Sequence, residues 1–316
     1  MPGRNAPAKF YPRVGQRFLS AGGKVYIMYL DTKTILKKFN IRPTKSLGQN
    51  FLTDEGVLKK IAGAAELSKN DIVLEIGPGL GSLTAQLAES AGAVVAVEID
   101  RHLIPALRES LGNYPNVHII QGDIMRIDPE NEIRPYSTDG EGRELTLKIV
   151  ANLPYYITTP VIMKLLESGI KAKNMVFMVQ KEVADRMRAK PGGKDYGALS
   201  VAVQYYSRPS MVLEVPPHSF IPQPEVDSSV IKLEIYDKAP VDLKDRDLFF
   251  RLVKAAFGQR RKTLVNALNN AGYFGMGKEE IKLALSEVGI NENQRGETLS
   301  IEQFAQLSNL IYDRKH

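Results

Sequence analysis

The sequence predicts an α/β protein, a mostly parallel seven-stranded sheet covered by helices on both faces, followed by a small all-helical domain. Three observations lead there. Seven apolar β-like runs recur between residues 71 and 236, helical patterns fit between most of them, and after Lys238 only helical stretches remain. Continuous apolar runs, as opposed to alternating ones, mark parallel strands buried on both faces.

In chain order, "DTKTILKKF" reads as a short helix opened by an acidic or Thr cap. The strand runs are "DIVLEIG" (71–77), "AVVAVEI" (93–99), "NVHIIQG" (116–122), "TLKIVAN" (146–152), "NMVFMVQ" (174–180), "SMVLEVP" (210–216) and "SSVIKLEIY" (228–236). Helices fit at 80–90, 101–111, 159–168 and 181–189. The last two runs are joined by a Pro-rich connection alone, which suits an antiparallel pair at one edge. Residues 129–146 are a polar insertion before the fourth strand and read as a surface loop. Pro240 ends the strand region; "RDLFFRLVKAAFGQ", "RKTLVNALNNA", "KEEIKLALSEV" and "SIEQFAQLSNLIYD" follow as helices. The organisation expected is a flexible basic tail at 1–28, an α/β domain at 29–237 and a helical domain at 238–316.

Composition narrows the function classes. With 316 residues and no cysteine, the chain has ample core, no disulfides and no Cys-ligated zinc or iron–sulfur site. The four histidines lack ligand spacing, so no metal is expected. No apolar stretch approaches the roughly 18 residues of a membrane span, and a cytoplasmic protein is the simplest reading. Residues 1–50 carry ten Lys/Arg against Asp31 alone, which exceeds the whole chain's net charge of +6 and leaves the remainder slightly acidic. The basic signal is therefore local, in the amino-terminal arm and in "GQRRKTL" (258–264), and such clusters suit phosphate contact. Residues 1–28, Gly/Pro/Arg-rich and without acids, have the composition of an organellar transit peptide, an extended reading frame or a leader ahead of Met28.

The chemistry-bearing residues gather at strand ends. "DIVLEIGPGLGSLTAQLAE" is a strand, a Gly-rich turn and a helix, in which Gly77, Gly79 and Gly81 let backbone approach a ligand at a helix N-terminus. A dinucleotide fingerprint wants a third glycine where Ser82 stands. Glu98 closes the next strand, some twenty residues on, where an acid can accept both ribose hydroxyls. Asp123 follows the third strand. Gly, Glu and Asp at three strand ends suit a nucleoside whose amino-acid part lies over the glycines. Singly, each also reads as a tight turn or a capping acid. The fourth strand ends in Asn152-Leu153-Pro154-Tyr155. Pro154 fixes its own φ and keeps Leu153 out of the α region, which holds the Asn152 amide oxygen and backbone carbonyls as acceptors beside the Tyr155 ring. Acceptors next to a stacking face match an exocyclic amino group on a planar base. An Asx-type turn feeding a helix capped by Thr158 or Thr159 is the plainer alternative.

"TKSLGQNFL", "EIGPGLGSLT", "VEID", "GDIM", "NLPYYITTPVI", "HSFIPQPEVDSSV" and "QRRKTL" fall in this order. From about Thr32 onward the chain resembles the class I S-adenosylmethionine-dependent rRNA adenine N6,N6-dimethyltransferases, specifically the small-subunit KsgA type. The resemblance implies a Rossmann-like methyltransferase domain and transfer of two methyl groups to N6 of each of two adjacent adenosines near the 3′ end of small-subunit (16S) rRNA. It further implies a monomer acting on the immature small subunit, and kasugamycin resistance on its loss. It carries S-adenosylmethionine binding onto Asn50, Leu52, Gly77, Gly79, Glu98, Asp123, Ile124 and Asn152, with Asp123 and Ile124 at its adenine. Asn152 and the Leu153 or Pro154 carbonyl would accept the N6 hydrogens, and the target base would stack between Tyr155 and Phe220. Arg260, Arg261, Lys262 and the arm at 33–45 would meet phosphate. Glu225 stands where the family often has a basic residue before the Val of that motif. The implied mechanism is positioning and electrostatic preorganisation, with no metal and no dedicated general base. The alternatives are a large-subunit rRNA dimethyltransferase of the Erm type, a non-catalytic assembly or transcription factor on the same fold, and, for the Gly-rich turn alone, a dehydrogenase.

Overall fold

The computed structural model describes residues 17–19, 25–27, 32–259, 261–272 and 274–316. Among these the chain runs β1 (Arg17–Leu19), β2 (Val25–Ile27), α1 (Thr32–Lys38), β3 (Phe51–Leu52), α2 (Glu55–Ala64), β4 (Asp71–Ile76), α3 (Ser82–Ser90), β5 (Ala93–Glu98), α4 (Ile104–Leu111), β6 (Val117–Gln121) and α5 (Pro129–Ile133). It continues through β7 (Thr146–Asn152), α6 (Thr158–Glu167), β8 (Asn174–Gln180), α7 (Lys181–Arg188), α8 (Ala198–Tyr206), β9 (Ser207–Val215), β10 (Phe220–Ile221) and β11 (Ser228–Ile235). Four helices close it, α9 (Arg246–Gly258), α10 (Leu264–Ala271), α11 (Lys278–Glu287) and α12 (Ile301–Asp313).

Seven strands share one sheet in the order β6-β5-β4-β7-β8-β11-β9. The pairs β4–β5, β5–β6 and β7–β8 are parallel, and β11 runs antiparallel to both β8 and β9. All seven apolar runs are strands, and the last two pair antiparallel. The chain groups into two compact units, one reaching to Thr146 and including His218–Pro224, the other Leu147–Pro217 with Glu225–His316.

In the first unit every residue of β4 and β5 is buried, which explains their unbroken apolar sequences. Asp54 caps α2 by accepting from the Gly56 and Val57 amides. Helix α3 starts instead at Gly81, whose φ of 88° is left-handed and costs little without a Cβ. The insertion at 129–146, expected as a loop, contains the short helix α5 capped by Asp128, and its Tyr136 stacks on His118 of β6 with centroids 3.8 Å apart. The segment read as a tail holds the antiparallel pair β1–β2, with Arg17 opposite Ile27.

In the second unit β9 alternates half-buried and exposed positions between buried ends, as an edge strand with one covered face does. The helices after 238 share a core with the helix before β9. Tyr196, Val201 and Tyr205 pack with Phe249, Leu252, Leu264, Leu285, Phe304 and Leu307, and the Tyr196 hydroxyl donates to the Leu299 carbonyl at 3.0 Å. Composition changes at Lys238, but the packing core runs across that point, because apolar side chains of α8 and of the helices after 238 bury one another. The 29–237 and 238–316 division is kept below as a proposal about which segment meets RNA.

Candidate functional site

The first unit builds a cradle of backbone and acids. The Gly-rich turn after β4 runs through Gly77 and Gly79 with left-handed φ values of 69° and 60°. A Cβ on Gly79 would stand 3.2 Å from the Phe51 ring, a tight contact, and the left-handed φ strains any other residue there, so this turn favours glycine. Glu98, 4 % exposed, accepts the Gly79 amide at 3.1 Å through Oε2 and the Asp100 amide at 2.8 Å through Oε1. Burial pushes its pKa up, and those backbone donors offset only part of the rise. The β5 acid and the β4 turn are thus hydrogen-bonded directly, as expected of residues at adjacent strand ends.

Asp123, partly exposed after β6, accepts the Met125 amide at 2.9 Å and faces the Arg126 guanidinium at 3.4 Å. Ile124 is buried beside it. Two exposed apolar side chains adjoin these acids, Ile99 at 48 % and Met125 at 38 %. Exposed apolar residues directly after strand-end acids suit the faces of a flat ring.

The "GQNFL" segment is tied to the same strand ends. Gln49 donates to Asp100 at 2.8 Å and accepts the Thr44 amide at 2.8 Å, and the Asn50 amide donates to the Gly48 carbonyl at 3.3 Å. Burial alone would raise the Asp100 carboxyl, but donors from Gln49 and His102 outweigh it and hold the pKa below the usual value. Leu52 and Phe220 are opposed in the antiparallel pair β3–β10, with Phe51 opposite Ile221. Thr53 reinforces the pair by donating its amide and hydroxyl to the Ser219 carbonyl at 2.9 Å and 3.0 Å. Phe220 is 2 % exposed, so the stacking face expected of it is covered in this structure.

In the second unit β7 ends at Asn152, and "NLPY" turns into a short 3₁₀ segment, Tyr155–Ile157, before α6. The plainer alternative, a helix capped by Thr158 or Thr159, does not hold: Ile157 is the N-cap residue, and the Thr158 hydroxyl donates back to the Pro154 carbonyl at 3.0 Å. That carbonyl also accepts the Ile157 amide at 3.2 Å. Two donors from its own turn already meet Pro154, while the Leu153 amide donates to Met178 of β8 at 3.1 Å and pins the turn to the sheet. The half-buried Tyr155 hydroxyl lies 2.6 Å from Ser228 Oγ at the start of β11. Burial raises the Tyr155 pKa, and the neighbouring Asp227 charge adds to it. The ring is therefore held at its far end, which fixes the direction of its faces.

Arg261 and Lys262 are exposed in the turn between α9 and α10, where the Lys262 amide donates to the Gln259 carbonyl at 2.8 Å. Arg260 lies outside the described residues. On α1, Lys33 and Lys37 are exposed and Lys38 pairs with Glu109; Arg42 is exposed beyond the helix. Glu225 is exposed too.

Sequence reasoning missed Gln49, Phe51, Asp100, Ser219 and Ser228 as supports of the site. Each acts through a partner far along the chain, and spacing offered no signal for them. Exposed Ile99 and Met125 were legible in principle as apolar residues following a strand-end acid.

Comparison with known proteins adds the following. A family model described as "Ribosomal RNA adenine dimethylase" matches residues 39–313. A ribosomal RNA small subunit methyltransferase A from Alkaliphilus oremlandii is 52 % identical over 278 residues, covering 88 % of this chain and 95 % of its own length. Among solved structures, a dimethyladenosine transferase from Plasmodium falciparum superposes with a TM-score of 0.69 at 27 % identity, covering 81 % of this chain and 95 % of that one. The 23S rRNA methyltransferase ErmE gives 0.62 at 25 % identity, covering 83 % and 100 %.

Proposed function

The chain belongs to the ribosomal RNA adenine dimethylase family, and from that premise we propose that it dimethylates N6 of two adjacent adenosines in the 3′-terminal hairpin of small-subunit rRNA, with S-adenosylmethionine as methyl donor. The observation that carries the small-subunit reading is the 52 % identity to a small subunit methyltransferase over 88 % of the chain. The Erm-type structure reaches 25 %. The residues present fit the donor. A buried carboxylate at the end of β5, a tightly packed glycine turn with left-handed φ and apolar residues beside Ile124 match ribose, amino-acid backbone and adenine in turn.

When bound, the sulfonium cofactor supplies an electrophilic methyl and leaves as a neutral thioether, so the chain needs no acid for the leaving group. Glu98 orients the ribose hydroxyls, and Asp123 with Ile124 receives the adenine. Asn50 and Leu52 close the pocket over the cofactor. The work on the nucleophile falls to "NLPY". The N6 lone pair of adenine is delocalised into its ring. The Asn152 side-chain oxygen and one backbone carbonyl accept the two N6 hydrogens, which lets the nitrogen pyramidalise toward the methyl. The Leu153 carbonyl is our choice for the second acceptor, since the Thr158 hydroxyl and the Ile157 amide already engage Pro154. Tyr155, tethered through Ser228, offers the stacking face; Phe220 contributes a second only once its ring is uncovered. Preorganised acceptors and positioning of this kind supply the rate enhancement without a general base, because water takes the proton from the methylated nitrogen.

Phosphate contacts fall to Arg261, Lys262, Arg260 and the basic residues of 33–45, with 238–316 as the RNA-facing segment. The reading includes a cytoplasmic monomer acting on immature small subunits, and kasugamycin resistance on loss. Among the described residues no helix is long and apolar enough to cross a membrane. The deciding experiment incubates the purified chain with labelled S-adenosylmethionine and unmethylated small subunits, with large subunits and naked RNA alongside. Dimethyladenosine on small subunits alone is expected. Label on large-subunit RNA moves the assignment to the Erm type, and binding without transfer moves it to an assembly factor.

A further inference from the structure

One short ribbon in the first unit carries both Leu52, assigned above to the methyl donor, and Phe220, assigned to the target base. β3 and β10 contribute two residues each, and their register sets Leu52 opposite Phe220 and Phe51 opposite Ile221. Residues directly opposite one another in an antiparallel pair share a face of the ribbon, with Cβ atoms about 5 Å apart. Leu52 and Phe220 are therefore neighbours on one face. Phe51 belongs to the other face, and its ring lies against Gly79, whose amide donates to Glu98. A two-stranded pair this short is marginal by itself.

A clasp at one end reinforces it. Thr53 donates its amide at 2.9 Å and its hydroxyl at 3.0 Å to the same Ser219 carbonyl, and the Ser219 hydroxyl donates to Asp54 Oδ2 at 3.3 Å. Ser219 is buried, and partners lost from buried groups are costly. Asp54 also accepts the Gly56 and Val57 amides through Oδ1, so the clasp is anchored on the start of α2. Packing around the ribbon is less complete. A cavity of about 340 Å³ borders it, with Thr53, Leu58, Leu80 and Ile221 in its wall. Where side chains leave such room, hydrogen bonds carry more of the positioning. The Thr53 hydroxyl is the one bond of this clasp to the Ser219 carbonyl that a side-chain substitution can remove without touching the backbone.

We propose that Thr53 is a positioning residue for the second of the two methyl transfers to each adenosine. The inference rests on the dimethyltransferase reading above. In the first transfer N6 presents two hydrogens, one to Asn152 and one to the Leu153 carbonyl, so two hydrogen bonds orient the base besides stacking. The first methyl replaces one of those hydrogens, and one acceptor then faces carbon. Orientation in the second transfer falls on a single hydrogen bond and on the stacking faces, of which Phe220 is one. In that transfer the donor C–S bond breaks with its electron pair staying on sulfur, the methyl bonds to N6, and the last N6 proton leaves to water. The clasp holds the main chain beside Phe220 in register with Leu52. The ring, once turned out, thus meets the base at a set distance from the donor. Misplacement by about 1 Å costs on the order of a hundredfold in rate, and the less constrained second transfer is the more sensitive to it.

The test follows the two transfers separately. The full chain, as wild type, Thr53→Val, Thr53→Ser and Phe220→Leu, is incubated with labelled S-adenosylmethionine and unmethylated small subunits. Monomethyladenosine and dimethyladenosine are then resolved by chromatography over time. Thr53→Val keeps the shape and loses the hydroxyl. Its first transfer should stay close to wild type while the second slows by about fivefold or more, the order of one hydrogen bond, so that monomethyladenosine accumulates. Thr53→Ser retains the hydroxyl and should restore the wild-type ratio. S-adenosylhomocysteine affinity, measured by calorimetry, should not change in either. A clasp that serves stability alone lowers the active fraction and slows both transfers alike, and that result overturns the proposal. A serine variant as defective as the valine variant also overturns it. If Thr53→Val does not fold, Phe220→Leu decides: with the clasp intact but the aromatic face gone, monomethyladenosine should again accumulate, and an unchanged ratio overturns the proposal. If the wild type binds donor yet methylates no adenosine of small subunits, the dimethyltransferase reading itself fails.

Discussion

At the strand ends Glu75 and Glu98 are 1 % and 4 % exposed, whereas Arg261 and Lys262 between α9 and α10 stand in solvent. Both regions rest on apolar cores, but one buries its charge and the other displays it. The difference follows from the ligand each is proposed to meet. A small nucleoside cation is selected by desolvated, oriented groups whose interactions water would weaken. An RNA backbone is met by many screened contacts, each worth little and released by salt. Mutations at the two regions are therefore expected to fail differently: in chemistry and pH at the first, in salt dependence at the second.

The largest effect is expected where preorganisation is most concentrated. Asn152→Ala removes one acceptor of the N6 hydrogens and should lower the transfer rate by about two to three orders of magnitude, the range for deleting a preorganised polar contact, with donor binding still measurable by calorimetry. Turnover like that of the wild type in this variant would remove Asn152 from the mechanism.

Next comes the pH dependence of stability. Glu75 keeps its proton when folded up to about 8, whereas the unfolded chain loses it above the ordinary value of 4.5. The unfolded state thus binds fewer protons in that window, so stability falls as pH rises from 4.5 to about 8 and levels off beyond. Denaturant melts should show a decline on the order of a few kcal/mol in the wild type and a flatter profile in Glu75→Gln. Identical profiles would mean that the carboxyl is already ionised at neutral pH.

The exposed cluster sharpens the contrast. Arg261→Ala with Lys262→Ala should weaken binding to small subunits and reduce the salt slope by about one per lost phosphate contact, with donor affinity unchanged. An unaltered slope would place RNA contact elsewhere. The smallest effect belongs to Tyr155→Phe, which leaves the ring but removes the 2.6 Å bond to Ser228. Ser228 is fully buried, so about 1 kcal/mol of stability should be lost in thermal melts, with a modest fall in rate. A fall in rate as large as that of Asn152→Ala would show that the hydroxyl has a chemical role.

Local physics made much of this protein legible. The seven apolar runs became strands because a residue buried on both faces of a parallel sheet must be apolar whatever its partner is, and Gly79 and Glu98 meet because adjacent parallel strands end side by side. Pro154 stiffened the turn as its ring requires. The threonine cap did not form, because the Thr158 hydroxyl found a carbonyl four residues back. The domain division read at 238 follows a change in composition, whereas the core joining Tyr196 and Tyr205 to Phe249 depends on which helices cover each other.

By itself the sequence determined the strand and helix periodicities, the glycine turn, the acids at strand ends and the "NLPY" motif, since each depends on residues within a few positions. Only the tertiary structure decided which distant segments meet. It paired Leu52 with Phe220 and covered the phenyl ring, joined Thr53 to Ser219 across 166 residues and Tyr155 to Ser228 across 73, and buried the Glu75 carboxyl. Burial and hydrogen-bond partnership are properties of the assembled chain, because desolvation depends on every segment that excludes water from a group, and periodicity cannot carry that information.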